Sequence, residues 1–295
     1  MKIIKIGTRK SSLACRQAEI VAGYIENACE GYSARLVTLV TTGDKILDRK
    51  LDAIGGKGLF VKELDLALRN KVTDLSVHSL KDVPMEVPKD LPMIGFSARE
   101  DVRDVLVLPK GKPGYDYGAP IGCSSNRRAL QLKELYPDAE VKNIRGNVLT
   151  RLEKLDGGEY GALVLAAAGL KRLGLSGRIS RYFSPEEMVP AAGQGILCIQ
   201  GRAGEDNTFL QGFFDEEARQ CALCERAFVA YLNGSCALPI GACAEIIDER
   251  SMRLLGLYFD EETKIYRKMG LTGERKNPEE LGKALARELK RACSE

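Results

Sequence analysis

Two adjacent arginines, Arg127 and Arg128, stand at the predicted start of a helix in the segment GCSSNRRAL. Ser124 or Ser125 can cap this helix, which places both guanidinium groups in its first turn. Cations at a helix N-terminus oppose the helix dipole, so the placement is unfavourable unless an anion lies beside them. Arginine binds carboxylates through paired N–H···O bonds. The pattern therefore indicates an anion-binding site.

Basic residues recur at other predicted strand ends. Arg9 lies between the strand KIIKIG and a helix that Ser11 can cap. Arg145 and Arg151 follow the strand EVKNI, and Arg172 follows the strand GALVLA. Ligands of open α/β sheets bind at the carboxyl ends of strands. The recurrence predicts a ligand with several carboxylates or phosphates, although the residues around Arg9 alone fit a capped helix with solvated basic side chains.

The segment LSVHSLKDVP places one carboxylate among these basic groups. A predicted strand ends at His78, and Lys81 and Asp82 follow it. An ionised Asp82 can stabilise a developing cation or orient an N–H group. The alternative is a Lys–Asp surface pair in a turn. We expect His78 to be a packed strand residue rather than a ligand.

The cysteines raise a separate possibility. Cys236 lies among small residues in GSCALPIG, which predicts an accessible and reactive thiol. Cys221, Cys224, Cys236 and Cys243 have a spacing that could bind zinc or an iron–sulfur cluster. However, Cys221 and Cys224 fall in a helical pattern with apolar neighbours, which favours packing over metal binding.

The segment TTGDKILDRKLDAIGGKGLF is rich in glycine and charge. It lacks the Walker spacing, because no Ser or Thr follows its lysine. We interpret residues 43–60 as a mobile lid with Phe60 at its hinge; a plain loop is the alternative.

Composition limits the function further. The 295 residues carry 44 basic and 41 acidic side chains, a net charge of +3, which does not favour nucleic-acid binding. A single histidine excludes a His-rich metal site. Nine scattered cysteines, an odd number, favour a reducing compartment. With no membrane span or signal-peptide core in the pattern, we expect a cytoplasmic protein.

Elements of two kinds must position these residues. Strand and helix patterns alternate through the first two thirds of the chain, which indicates α/β units. From about residue 216 a long helix is followed by a strand meander and a closing helix, which predicts a separate small α+β domain.

Eight segments, in order, resemble the hydroxymethylbilane synthase (porphobilinogen deaminase) family. They are GTRKSSLA, GGKGLFVKELD, HSLKDVP, SSNRRAL, RGNVLTRL, LAAAGLKRLG, VPAAGQG and GSCALPIG. The resemblance covers nearly the whole chain and weakens beyond Ile247. Ser12, Cys123 and Asn126 depart from the family's usual Pro, Thr and Leu.

The resemblance implies an enzyme that joins four porphobilinogen molecules head to tail with loss of ammonia and then releases hydroxymethylbilane by hydrolysis. It implies a dipyrromethane cofactor bound covalently to Cys236. It also implies an α/β fold with two periplasmic-binding-protein-like domains around a cleft and a small C-terminal α+β domain. The expected boundaries are residues 1–96 with 196–215, 97–195, and 216–295, and the expected state is a monomer.

The resemblance also assigns roles by motif position. Asp82 is implied as the catalytic residue. The implied cofactor-binding residues are Cys236, Lys81, Ser125, Arg127, Arg128 and Arg145. The implied substrate-binding residues are Arg9, Ser11, Gln17, Phe60, Arg145, Arg151, Arg172 and Gln194. No metal is implied, and porphobilinogen is the expected small-molecule partner, with neither nucleic acid nor membrane.

Two other hypotheses remain open at this point. A non-catalytic module of the same two-lobed fold would bind a polycarboxylate reversibly, although it would need neither Asp82 nor an exposed Cys236. A metal protein would use the four cysteines from Cys221 to Cys243.

Overall fold

The structure is a computed structural model that describes residues 1–45, 61–234 and 238–294. The chain divides into two compact units. The first unit comprises Met1–Arg99 and Ile196–Arg219, and the second comprises Glu100–Gly195 and Gln220–Glu295. The three-domain boundaries expected from the sequence remain a prediction.

The elements are numbered in chain order. The strands are β1 (Lys2–Arg9), β2 (Tyr32–Leu39), β3 (Leu75–Ser79), β4 (Met93–Phe96), β5 (Asp104–Val107), β6 (Ile121–Gly122), β7 (Val141–Lys142), β8 (Ala162–Ala166), β9 (Arg181–Tyr182), β10 (Leu197–Gly201), β11 (Gly241–Ile246), β12 (Ser251–Phe259) and β13 (Tyr266–Glu274). The α-helices are α1 (Ser12–Ala28), α2 (Thr42–Lys45), α3 (Lys62–Arg69), α4 (Asn126–Leu135), α5 (Val148–Asp156), α6 (Ala167–Arg172), α7 (Glu216–Tyr231) and α8 (Pro278–Ser294).

The first unit contains a five-stranded mixed sheet in the order β2-β1-β3-β10-β4. Strand β1 pairs in parallel with β2 and β3, whereas β10 runs antiparallel to β3 and β4. Helix α1 buries Ala18, Val21 and Ile25, whose spacing forms one apolar stripe against this sheet. Gly7 allows a close approach where β1 meets β3, because a Cβ there would lie 3.0 Å from Ser76 Oγ.

The second unit contains a sheet of the same design, in the order β7-β6-β8-β5-β9. Strand β6 is parallel to β7 and β8, and β5 is antiparallel to β8 and β9. Separate apolar clusters include Ile121 with Val164 and Val105 with Leu163, as expected when a sheet is buried on both faces. The strand order is thus repeated although the sequence shows no internal repeat.

The C-terminal part of the second unit is an antiparallel meander, β11-β12-β13, with helix α8 packed on it. Leu281, Leu285 and Leu289 are buried on one face of α8 at four-residue spacing. Gly282 lies where a Cβ would come within 2.3 Å of Cys224 O on helix α7. These two helices can approach so closely only because residue 282 has no side chain.

The mixed α/β class predicted from the sequence is confirmed, as are the meander and its closing helix. Strand EVKNI is shorter than predicted, because only Val141–Lys142 pairs with β6. Among the helices of the described residues, none is long and apolar enough to cross a membrane.

Candidate active site

Most of the predicted site residues that the structure describes lie at or after the carboxyl ends of parallel strands. In the first unit they follow β1 and β3, which are parallel neighbours. In the second unit all except Gln194 follow the parallel strands β6, β7 and β8, whereas Gln194 lies between β9 and β10. Parallel strands end at the same edge of a sheet, so within each unit the loops that carry these residues share one edge.

Arg9 is the last residue of β1, and its side chain is half-buried. Ser11 caps helix α1 as predicted, since its Oγ accepts a hydrogen bond from Ala14 N at 3.3 Å. Thr8 Oγ1 donates to Ala14 O at 2.8 Å and fastens the same turn. The strand end and the first turn of the helix are therefore held together, which fixes the backbone that carries Arg9.

Asp82 closes a short 3₁₀ turn, Leu80–Asp82, directly after β3, and its side chain is exposed. Lys81 beside it is half-buried. Gln17, predicted to contact substrate, is buried on α1, and its Nε2 donates to Ser79 Oγ at 2.8 Å. Gln17 therefore links helix α1 to the end of the strand that presents Asp82, and its substrate contact stays a prediction.

His78 is buried beneath this turn. Its Nε2 lies 3.1 Å from Gln200 Oε1 on β10, and Gln200 Nε2 donates to Leu91 O at 2.9 Å. Burial lowers the pKa of His78 to about 4, with a smaller contribution from the charge of Arg9. A neutral imidazole that packs in the strand agrees with the sequence-based expectation for His78.

In the second unit, Arg127 and Arg128 are buried and share one carboxylate, that of Asp104 on β5. Arg127 Nη1 lies 2.8 Å from Asp104 Oδ2, and Arg128 Nη2 lies 2.6 Å from Asp104 Oδ1. Burial alone would raise the pKa of Asp104, but the two guanidinium groups hold it well below its usual range. The anion required by the pattern is therefore supplied, at least in part, by the chain itself.

Sequence reasoning missed Asp104. A lone aspartate at the start of the apolar run DVLVL was the available signal, because a charge in a buried strand needs a partner. Asp104 is 0% exposed. It supplies one negative charge against two positive ones, so this trio alone keeps a net positive charge. This net charge can attract a further anion, and the role of Arg127 and Arg128 in cofactor binding stays a prediction.

Gln194 belongs to the same cluster. Its side chain is buried, and Nε2 donates to Asp104 Oδ1 at 2.8 Å and to Val102 O at 2.7 Å. Ser125 occupies the N-cap of α4, but its side chain makes no capping bond in the described part of the chain. The hydroxyl of Ser125 is therefore not committed to closing the helix.

The loop after β7 is shaped by a glycine. Gly146 has a φ of +110°, a conformation that a residue with a Cβ rarely adopts. Gly146 O accepts a hydrogen bond from Arg151 Nε at 2.9 Å, and Asn147 caps helix α5. Arg145 and Arg151 are both half-buried on this loop and helix start. Arg145 thus lies in the loop after β7 and Arg151 in the first turn of the helix that follows, as predicted.

Arg172 lies at the end of α6, and its Nη2 donates to Gly195 O at 2.6 Å. Burial lowers the pKa of Arg172 to about 10, so the guanidinium stays protonated at neutral pH. Its neighbour Lys171 pairs with Glu100 at 3.2 Å and Asp101 at 3.1 Å. Lys171 is thus held by two carboxylates, whereas the hydrogen bond described for Arg172 goes to a backbone oxygen.

Three predictions fall outside the described residues. Cys236 and Phe60 lie there, as does most of the segment 43–60 that the sequence predicts to be a lid. Their predicted roles are therefore judged on sequence alone.

The other cysteines of the proposed metal set are poor metal ligands as they stand. Cys221, Cys224 and Cys243 are buried thiols that form no disulfide. Burial, and then the charge of Glu225, raise the pKa of the Cys224 thiol, which disfavours the thiolate that zinc requires. Within residues 1–45, 61–234 and 238–294, no group of three or more His, Cys, Asp and Glu side chains is arranged to hold a metal ion.

The described residues, each within its own unit, offer two kinds of chemistry. Guanidinium groups at strand ends bind carboxylates through directed hydrogen bonds, and lysine cannot match that geometry. An exposed carboxylate at the end of β3 can stabilise positive charge or accept a hydrogen bond from N–H. A polycarboxylate that passes through a cationic state fits both features.

Two family models match the chain. Residues 4–210 match "Porphobilinogen deaminase, dipyromethane cofactor binding domain", and residues 219–291 match "Porphobilinogen deaminase, C-terminal domain". Solved structures with detectable likeness include an ABC transporter from Parabacteroides distasonis (TM-score 0.44, 11% identity, 77% of this chain and 74% of that one). Another is a TRAP periplasmic solute binding protein from Desulfovibrio salexigens (TM-score 0.41, 13% identity, 75% and 74%). At these scores the structural likeness supports no further argument.

Curated relatives match over nearly their full length. Porphobilinogen deaminase of Acetivibrio thermocellus is 52% identical over 97% of this chain and 97% of the relative. That of Ruminiclostridium cellulolyticum is 52% identical over 98% of both, and that of Roseiflexus castenholzii is 42% identical over 97% and 95%. With both family models in order along its length, the chain belongs to the porphobilinogen deaminase family.

Proposed function

We propose that this chain joins four porphobilinogen molecules head to tail, releases four ammonia molecules, and frees hydroxymethylbilane by hydrolysis for tetrapyrrole (haem) synthesis. The observation that carries the proposal is the match to the dipyrromethane-binding family model over residues 4–210. The enzyme is a transferase, and dipyrromethane is its primer. When bound, the primer supplies the pyrrole carbon to which the first substrate is joined.

The strand-end arginines suit this substrate. Each porphobilinogen carries an acetate and a propionate, so the product gains two carboxylates with every ring. Each carboxylate that leaves water needs a partner. Arg9 in the first unit, and Arg145, Arg151 and Arg172 in the second, are the groups proposed to bind them. Arg127 and Arg128 are proposed to hold primer carboxylates while Asp104 keeps both guanidinium groups in place.

Asp82 is proposed as the catalytic carboxylate. When ammonia leaves porphobilinogen, the C–N bond breaks and a cationic azafulvene forms. A fixed negative charge beside the pyrrole N–H stabilises that cation without reorganising. Asp82 is exposed at the end of β3, so its carboxylate is accessible to such a group.

Cys236 is proposed as the attachment point. In that role its sulfur would add to the methylene carbon of the cationic azafulvene, a C–S bond would form, and the thiol proton would leave to solvent, because the pyrrole nitrogen already carries its hydrogen. The small residues of GSCALPIG, which predict an accessible thiol at Cys236, support this role, whereas the described cysteines are mostly buried.

The enzyme is further proposed to act as a cytoplasmic monomer, with porphobilinogen as its partner and without nucleic acid or membrane. The near balance of 44 basic and 41 acidic side chains supports the absence of a nucleic-acid role. Sedimentation of the purified protein tests the monomer, and a dimer at micromolar concentration would correct it.

Stoichiometry tests the activity. We expect four ammonia molecules per hydroxymethylbilane released from porphobilinogen, and no turnover by Cys236→Ser. Cys29→Ser, which changes the thiol at the opposite end of helix α1 and keeps a donor to Phe209 O, should turn over normally. Tight, reversible porphobilinogen binding without ammonia release would instead favour the polycarboxylate-binding module.

A further inference from the structure

Residues 189–194, here called the anchor segment, are held at both ends by buried polar side chains of the second unit. At its start, Gln131 on α4 makes two hydrogen bonds to one residue, Val189. Val189 N donates to Gln131 Oε1 at 2.8 Å, and Gln131 Nε2 donates to Val189 O at 3.2 Å. The amide of Gln131 thus pairs with the backbone much as a neighbouring strand would.

Near its end, the anchor segment is held by Glu225 on α7. Glu225 Oε2 accepts a hydrogen bond from Gly193 N at 2.6 Å, and Oε1 accepts one from Ala244 N on β11 at 2.7 Å. The Glu225 side chain is 0% exposed. Hydrogen bonds to a carboxylate are stronger than neutral ones, so this one group joins the anchor segment firmly to β11.

The same segment lies directly against the start of β11. Ala242 N donates to Pro190 O at 2.9 Å. A Cβ on Gly241 would lie 3.0 Å from Pro190 O and from Val189 O, so the backbones are in close contact. Gly241 follows Cys236 by five residues in the sequence. The anchor segment therefore fixes the strand that begins five residues after Cys236.

The anchor segment also contacts the arginine cluster. Arg127 Nη1 donates to Val189 O at 2.5 Å while it pairs with Asp104. At the other end, Gln194 donates to Asp104. One short stretch of backbone thus touches both β11 and the buried Arg127–Asp104–Arg128 cluster.

We propose that Glu225 and Gln131 are positioning residues for cofactor attachment. They hold the anchor segment so that β11 and the Arg127–Asp104–Arg128 cluster keep one relative placement. This inference rests on the proposed function, in which the cluster binds the carboxylates of the primer and Cys236 forms the thioether. Neither residue touches the reacting atoms; both act through the backbone of residues 189–194.

The test measures loading of the cofactor. Chains are made in a host that produces no porphobilinogen, porphobilinogen is added, and covalent loading is followed by intact mass. Glu225→Gln keeps the shape of the side chain, but its amide N–H₂ can no longer accept one of the two backbone hydrogen bonds. Gln131→Met removes both hydrogen bonds to Val189, at the other end of the anchor segment, with little change in side-chain volume. Glu288→Gln, on an exposed face of α8, is the matched charge control.

We expect the limiting loading rate of Glu225→Gln and of Gln131→Met to fall about tenfold, as for loss of one strong hydrogen bond. The porphobilinogen concentration that gives half the limiting rate should not change, because neither residue contacts substrate. Glu288→Gln should load like the unaltered chain. A folded variant that loads at the unaltered rate overturns the assignment of that residue.

Thermal unfolding is measured alongside. A variant that is unfolded at the assay temperature overturns the proposal for its residue, because the side chain would then be a stability element. If the unaltered chain itself gains no mass, the proposed attachment fails and this inference falls with it. If instead all variants load at the unaltered rate, the proposed attachment stands and only the roles of Glu225 and Gln131 are overturned.

Discussion

Asp104 makes a buried arginine pair possible at the start of a helix. Its carboxylate bonds both guanidinium groups and also accepts from Gln194. Removing one partner of a buried ionic cluster leaves uncompensated charge in a medium of low dielectric constant, which costs far more than losing an exposed ion pair.

Asp104→Asn should therefore lower the free energy of unfolding by about 3–5 kcal/mol, measured in urea at neutral pH. Asp90→Asn is the control, because Asp90 pairs with Arg69 at the surface, where solvent screens the ion pair and its loss has little effect on stability. A loss for Asp104→Asn no larger than for Asp90→Asn would show that the cluster needs no internal anion.

His78 gives a second prediction, because it is the only histidine in the chain. Its pKa is lowered by burial to about 4 in the folded protein, against 6.5 when unperturbed. The unfolded chain therefore binds the proton more readily between these values, so the stability from His78 is complete above pH 6.5 and is lost as pH falls toward 4. The difference corresponds to about 3 kcal/mol.

The single imidazole C2–H resonance reports this directly by NMR. We expect its shift to stay constant from about pH 7.5 to 5.5 in the folded protein. A titration centred near 6.5 in folded protein would contradict a buried, neutral His78.

Asp82 is tested by Asp82→Asn, which removes the charge and keeps the shape. Because Asp82 is exposed, the fold should persist, while kcat should fall by about 100-fold or more through loss of a preformed charge. Glu86→Gln changes an exposed acid in the same loop and should leave kcat unaltered. Near-normal turnover by Asp82→Asn would remove Asp82 from the mechanism.

At the scale of elements, the sequence predicts what local patterns control. Helix α1 begins where Ser11 can cap it, and Arg145 and Arg172 follow strands that the apolar runs mark. Asp104 could not be assigned to Arg127 and Arg128 in the same way, because 23 and 24 residues separate the partners. The pairing of strands likewise depends on hydrogen bonds between residues that are far apart in the sequence.

Helix packing provides a prediction at this scale, with two helical glycines as a matched pair. At Gly282 a Cβ would lie 2.3 Å from the backbone oxygen of Cys224, whereas at Gly23 in α1 nothing lies within 4 Å. Alanine favours a helix over glycine by about 1 kcal/mol, so Gly23→Ala should stabilise by about that amount.

At position 282 the clash with backbone outweighs this gain, and Gly282→Ala should destabilise by about 1–3 kcal/mol. Urea denaturation of both variants measures the contrast. Equal changes at the two positions would mean that α7 and α8 separate without cost.

At the scale of the whole molecule, two units with the same strand order each carry cationic side chains at one sheet edge. The duplication is absent from the residue pattern, because strand order depends on pairing rather than on local composition. The small residues around Cys236 marked it as a reactive thiol, but the cofactor and its attachment there were indicated by the family resemblance and not by periodicity. The domain boundaries near residues 97 and 216 remain predictions.

The central claim is that the chain carries an oligopyrrole primer on Cys236, with its carboxylates bound by strand-end arginines. Intact mass under denaturing conditions tests it most directly. The account predicts a mass above that of the 295-residue chain by one dipyrromethane unit, further increments of one porphobilinogen unit after brief exposure to substrate, and none of these in Cys236→Ser. The bare chain mass in an active preparation, or the same increments in Cys236→Ser, would contradict it.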